Sequence, residues 1–193
     1  MSGSLSDIAL LTQAGYLTIK APEPRETFLF DYPNLEVRRS MALLYTEQLL
    51  GGKVPGQVGA GPIVEALSGG SLEFVVFVLN QFFQAIDYQK HPVKDVVTLR
   101  AYVQVYFSAA GLEVEAEFQK DRRNELKVKV GGRKWIFDFR LVKTLKDASE
   151  HNVDADEHME KTHPRDKDDR RDLRKVRLVF SIEARQFVQW LED

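Results

Sequence analysis

Two glycines, Gly131 and Gly132, separate two alternating runs, and this hairpin constrains the chain more than any other feature. Residues 125–130 read Glu-Leu-Lys-Val-Lys-Val, and residues 133–140 read Arg-Lys-Trp-Ile-Phe-Asp-Phe-Arg. Alternation with period two, broken by a two-glycine turn, is the signature of two antiparallel strands. Pairing outward from the glycines sets Val130 against Arg133 and Glu125 against Asp138. Opposed residues share a face, with Cβ atoms ~5 Å apart. Two carboxylates so placed repel, so the sequence needs a metal, a cation or a function to balance them. Arg140, two residues beyond Asp138, projects from that same face. An acid, followed by acid-x-base on the next strand, is the outline of a metal-dependent nuclease site.

The bulk properties leave this reading open. The chain has 193 residues, 44% of them hydrophobic, enough for one sizeable domain or two small ones. The net charge of −2 gives no bulk attraction to a polyanion, yet residues 120–146 hold ten Lys or Arg against three Asp or Glu. Such a stretch suits a phosphate backbone, and it equally suits a strand edge kept from aggregating by lysines. The absence of cysteine excludes disulfides, thiolate metal sites and a cysteine nucleophile. No apolar run approaches the ~18 residues of a membrane span. The first residues lack the basic region of a signal peptide. A cytoplasmic location is expected, and the chain is expected to be a fragment of something longer.

The order of elements follows from local signals. A short helix is predicted over 5–14, capped by Ser6 and stopped by Gly15. Strands follow at 16–20 and 27–31, with Pro22 and Pro24 between them. Asn34 caps a helix with Val37, Met41, Leu44 and Leu49 inward. Residues 51–61, with five glycines and Pro55, read as a flexible linker rather than a phosphate loop, since they lack the spacing and the Lys-Ser/Thr end of one. Ser71 caps a helix from Leu72 to Ile86 that is apolar on more than one stripe. His91-Pro92 reads as a hinge. A helix from Val96 to Ala110 turns Leu99, Tyr102, Val103, Tyr106 and Phe107 inward, and Gly111 ends it. A strand is expected over 112–118, then the hairpin. A polar stretch from Lys146 to Arg174, a polar helix or a loop by its place in the order and composed like a disordered loop, precedes a strand at 176–180 and a short helix from Glu183 to Leu191. His151, His158 and His163 in the polar stretch have no chelating spacing. The expected fold class is α/β: a mixed sheet flanked by helices over residues 91–193, preceded over residues 1–90 by a mostly helical connecting subdomain with a short β-hairpin.

With these residues, the chain resembles the PD-(D/E)xK nuclease superfamily. More specifically it looks like the C-terminal region of bacterial proteins that join an AAA-type ATPase-like domain to such a nuclease. The segments Leu11–Lys20 and Tyr32–Arg38 match that family's Gln-x-Gly-Tyr-Leu-Thr-Ile and Pro-Asn-x-Glu-Val-Arg strings, and Gly111 with Ala116-Glu117 matches its helix end and first strand. The resemblance implies a restriction-endonuclease-like fold. It also implies Glu125 and Asp138 as ligands of Mg2+ or Mn2+, Arg140 as the third catalytic residue, DNA or RNA as substrate, and an ATPase-like domain or other protein as partner. The motif keeps its charges but exchanges all three of its usual chemical side chains. The family's Gly-Arg-x-Asp-Leu stands here as Arg122 to Leu126, and its Glu-Phe-Lys as Asp138-Phe139-Arg140. Its supporting Ala-Leu-x-Gln-Ile run has no counterpart, and Asp95 is the nearest acid to the start of the Val96 helix.

Exchanging acid lengths should move a metal by ~1 Å, enough to cost about 10²-fold in rate. Arg140 keeps positive charge but cannot deprotonate, and its planar fork replaces a point charge poorly. Two expectations therefore stand side by side. One is a nuclease-superfamily domain hydrolysing phosphodiesters with a divalent metal. The other is a catalytically inactive nuclease-like module, its acids neutralised by Arg140, that binds protein or nucleic acid.

Overall fold

The structure, a computed structural model, describes residues 7–22, 28–58, 60–115, 124–150 and 173–192. The chain begins with α1 (Asp7–Gln13) and a two-stranded sheet of β1 (Thr18–Pro22) and β2 (Phe28–Asp31). Four helices follow: α2 (Leu35–Leu49), α3 (Ala60–Gly69), α4 (Leu72–Ala85) and α5 (Val96–Ala109). A five-stranded mixed sheet comes last, in the order β3 (Glu113–Glu115), β4 (Glu125–Val130), β5 (Arg133–Val142), β6 (Leu173–Ser181) and β7 (Gln186–Glu192). A short helix, α6 (Leu145–Glu150), follows β5. Strands β3, β4 and β5 run antiparallel in sequence, β6 lies parallel to β5, and β7 returns antiparallel to β6. The fold is therefore α/β: N-terminal helices, then a mixed sheet with helices packed against it.

Alternation on the strands explains how the sheet is covered. Leu126 and Val128 on β4, Trp135, Phe137 and Phe139 on β5, and Val176, Leu178 and Phe180 on β6 are almost wholly buried. They face α3, α4 and α5 in one continuous core. Tyr106 of α5 stacks on Phe82 of α4 with centroids 4.2 Å apart, and Phe83 meets Phe180 and Phe187 of the sheet. The core joins Leu49 of α2 to Phe187 of β7, so it runs without a break across residue 90. The other face of the sheet is covered differently. There Val142 and Val179 meet Ala148 of α6 in a small separate cluster, with Val188 packed against it.

The end of α3 is anchored to the sheet by polar contacts. Trp135 donates its indole N–H to the Leu67 carbonyl at 3.2 Å. The guanidinium of Arg133 donates to the Ser68 carbonyl, and that of Arg174 to the Gly70 carbonyl. Arg174 also binds both carboxylate oxygens of Glu192 and lies 4.4 Å from the Trp135 ring centroid. The last carbonyls of a helix lack internal partners and carry partial negative charge, so cationic donors belong there. Gly70 has φ +77, a left-handed conformation that favours glycine, and it lies beneath the ends of Arg133 and Arg174.

Most helix signals are realised. Asn34 accepts from the Val37 N–H at 2.8 Å and Ser71 from the Phe74 N–H at 3.3 Å, as N-caps do. All five predicted inward residues of α5 are buried.

Four expectations need correction. Residues 183–191 form no helix: they hold the β6–β7 turn and most of β7. Their apolar spacing mimicked a helical stripe. What decides is pairing with β6, with an irregularity between Val179 and Phe180, and the Asn80 side chain, which donates to the Phe187 carbonyl and accepts from its N–H. Residues 51–61 are not all linker, since they contain a 3₁₀ turn (Pro55–Val58) and the start of α3, whose small residues hid it. Leu44 is 57% exposed, because α2 buries Ala42, Thr46 and Leu49 instead. The strand expected at 176–180 is longer, running from Leu173 to Ser181, while α6 places a helix, one of the two alternatives, at the start of the polar stretch. Ser6, Pro24, Ala116–Glu117, Arg122, Arg123 and all three histidines from 151 to 163 lie outside the described residues. No helix among the described residues is long and apolar enough to cross a membrane.

Candidate functional site

The β4–β5 turn sets the register of the site. Gly131 and Gly132 take φ +56 and +83, as a two-residue hairpin turn of matching twist requires. From that turn the pairs run outward to Glu125 opposite Asp138, the expected register. In the parallel pair, Asp138 lies opposite Arg177 of β6, and Arg177 in turn opposite Leu191 of β7. Glu125, Asp138 and Arg177 therefore form one row across three adjacent strands. The row lies on the face opposite the aromatic core, because Phe137, Phe139, Val176 and Leu178 alternate with it.

Charges in the row are close and sheltered. The Asp138 side chain is 13% exposed and that of Arg177 only 7%. Arg177 Nε donates to Asp138 Oδ2 at 3.2 Å. Arg140, from two residues along the strand and 38% exposed, brings its Nε within 3.4 Å of the same oxygen. That second contact is an ion pair without hydrogen-bond geometry. Glu125 is served less well. Its Oε2 is buried and has no hydrogen-bond partner. In sum the four side chains carry two negative and two positive charges, and both arginines are aimed at one carboxylate.

A divalent metal does not fit the site as it stands. Mg2+ and Mn2+ take hard oxygen ligands, but Asp138 Oδ2 already faces two guanidinium groups. No group of three or more Asp, Glu, His or Cys that could hold a metal ion occurs among the described residues. Asp95, the nearest acid to the start of α5, is the N-cap of that helix. Its carboxylate accepts from the Thr98 N–H at 2.7 Å and the Thr98 hydroxyl at 2.8 Å. These bonds hold its pKa below the usual carboxylate value, the backbone N–H of Thr98 contributing most.

The structure thus brings together all three residues expected from the sequence, Glu125, Asp138 and Arg140. It adds a fourth, Arg177, that sequence reading did not single out. The available signal was weak: one arginine inside the apolar run Val176-Arg-Leu-Val-Phe180. Alternation assigns Arg177 to the second face, but its alignment with Asp138 depends on a parallel crossover whose register local pattern does not fix.

Other features singled out in the sequence stay apart from this row. Arg38 pairs with Asp31 at 2.8 Å, and Lys129 of the basic hairpin pairs with Glu115 of β3 at 2.6 Å. An open groove of about 670 Å³ between α2 and the segment after α4 is lined by Leu44, Glu47, Gln48, Gly51, Gly52, Lys90 and His91, none of which belongs to the row. Comparison of the chain with family models, with curated proteins and with solved structures finds no match in any of the three.

Proposed function

We propose that this chain is a nuclease-like domain of restriction-endonuclease-like architecture whose hydrolytic site is silent, and that it serves as a protein-binding module beside an ATPase-like partner. The observation that carries the reading is the double engagement of Asp138 by Arg177 and Arg140. A carboxylate with two guanidinium groups at one oxygen is neutralised without a metal. The order α5-β3-β4-β5-α6-β6-β7, with its acids on adjacent hairpin strands, supports the architectural part. Exposed apolar side chains support a protein partner over a polyanion. Ile8, Leu10 and Ile19 near the start are half exposed, and Phe74 stacks on Phe77, itself 54% exposed, on the outside of α4.

The opposing reading, a Mg2+- or Mn2+-dependent phosphodiesterase acting on DNA or RNA, draws on one observation: Glu125 Oε2 is a buried acceptor without a hydrogen-bond partner. The deciding experiment is cleavage of single- and double-stranded DNA and RNA with each metal, using Asp138→Ala as control. The silent reading expects no difference between the two proteins. Metal-dependent cleavage that disappears in Asp138→Ala would overturn it.

A further inference from the structure

We propose that this chain associates with a second copy of itself along the outer edge of β7, joining two sheets into one about a two-fold axis at Trp190. The inference goes beyond the silent reading and does not depend on it. It leaves Ile8, Leu10 and Ile19 for a different protein.

The two edges of the sheet are built differently. One edge is β3, three residues long, with Glu113 and Glu115 exposed on it. Shortness and charge are how natural sheets keep an edge from pairing. The other edge is β7, seven residues long, and among the described residues no strand pairs beyond it. It contains neither Lys nor Pro, and its one charged residue, Glu192, is held by Arg174. The head of its outer edge is closed, because Asn80 of α4 takes both the N–H and the C=O of Phe187. The register irregularity falls there too, and from Gln189 to Glu192 the strand pairs regularly with β6.

Self-pairing fixes where the axis falls. Directly opposed residues share a face. Gln189 and Leu191 lie opposite Val179 and Arg177 on the second face, and Trp190 lies opposite Leu178 on the face that carries α4. An axis through Trp190 sets Gln189 of one copy against Leu191 of the other and Trp190 against itself, with each pair on one face.

The same axis, perpendicular to the sheet, brings the two α4 helices side by side. Phe74, Phe77, Gln81 and Gln84 recur at helical spacing and form an exposed, uncharged stripe on α4. Phe74 stacks on Phe77 at 6.2 Å, and Trp190, 40% exposed, lies on that side of the sheet. A two-fold interface puts each patch against itself, so a charged patch would repel its copy. Neither this stripe nor residues 188–191 carry a charge. An open strand edge calls for a strand, and the apolar helix beside it calls for an apolar neighbour. A second copy presents both in the right relation.

Sedimentation velocity on the full chain reads the association, with folding checked by circular dichroism. The native protein is expected to sediment as a dimer with Kd at or below about 10 µM. Trp190→Lys and Phe77→Lys, both at exposed positions, are each expected to weaken it at least about tenfold, and Leu44→Lys on α2 to leave it unchanged. The chain has no cysteine, so Trp190→Cys introduces a single thiol. Across the axis its Cα would lie ~5 Å from its copy, within reach of a disulfide. Mild oxidation should therefore join two chains of Trp190→Cys and leave Leu44→Cys single. Where a Lys variant fails to fold, the cysteine variant decides. A native chain that stays monomeric up to about 100 µM overturns the proposal. So does a dimer that either folded Lys variant at Trp190 or Phe77 leaves unweakened, one that Leu44→Lys weakens, or a dimeric Trp190→Cys that does not cross-link.

Discussion

Two arginine clusters sit on the same sheet and face opposite fates. At the end of α3, Arg133 binds the Ser68 carbonyl, and Arg174 binds the Gly70 carbonyl, both oxygens of Glu192 and the face of the Trp135 ring. On the second face, Arg140 and Arg177 converge on one oxygen of Asp138, and the neighbouring Glu125 keeps an unmet oxygen. The first cluster is a joint, since the bonds to the Ser68 and Gly70 carbonyls fasten the end of α3 to strands distant in sequence. The second fastens little. Its residues already belong to three hydrogen-bonded strands, so the contacts with Asp138 join neighbours that the backbone has paired. Side chains of one chemical type are thus structural where their geometry closes and a candidate site where it does not.

The largest effect separates the clusters by what relieves each loss. Arg177→Met leaves a nearly buried Asp138 with the more distant, more exposed Arg140 and should cost about 3 kcal/mol in urea unfolding. Arg174→Met removes a bidentate pair and a cation–π contact near the surface and should cost about 2 kcal/mol. Adding Asp138→Asn to the first should restore most of the loss, because it removes the stranded charge. Adding Glu192→Gln to the second should restore little, because the Gly70 carbonyl still lacks its donor. Equal rescue in both pairs would erase the distinction.

The same contrast explains what could be read in advance. The hairpin register, the five inward residues of α5 and the caps Asn34 and Ser71 depend on neighbours close in sequence, and all were legible. Arg177 was not, because its partner lies 39 residues away across a parallel crossover. The strand β7 was misread for a related reason. Phe187, Val188 and Trp190 carry no strict alternation, and the Asn80 amide that holds β7 comes from α4, 107 residues earlier. Local pattern specified elements and their faces. Which faces meet was specified by contacts between distant segments.

An intermediate effect is expected at Asp95, an acid whose bonds are all made within its own helix start. Asp95→Ala should destabilise the protein by about 1 kcal/mol at neutral pH through loss of the α5 cap. The folded-state pKa of Asp95 is lowered, so its contribution is present above the unfolded value of about 4 and is lost as pH falls through the lower folded value. The gap between native and variant melting temperatures should therefore stay constant from pH 7 to about 5 and narrow below about 4. A gap that persists undiminished in acid would show that the carboxylate charge is not what caps the helix.

The smallest effect has the opposite sign and bears most directly on the second cluster. Glu125→Gln removes a negative charge facing Asp138 and replaces an unmet oxygen with an amide of nearly the same shape. Burying a charged acceptor without a partner costs free energy, and opposed like charges add to that cost. The variant should therefore be neutral to stabilised, by no more than about 1 kcal/mol. Glu192→Gln at the joint, where Arg174 binds both oxygens, should instead lose about 1 kcal/mol. The pair of measurements uses one substitution at two acids of the same sheet, so helix propensity, size and denatured-state effects largely cancel. Destabilisation of Glu125→Gln beyond about 1 kcal/mol would mean that Glu125 already has a cationic partner in solution. The row would then be as closed as the joint, with no opening left for a metal.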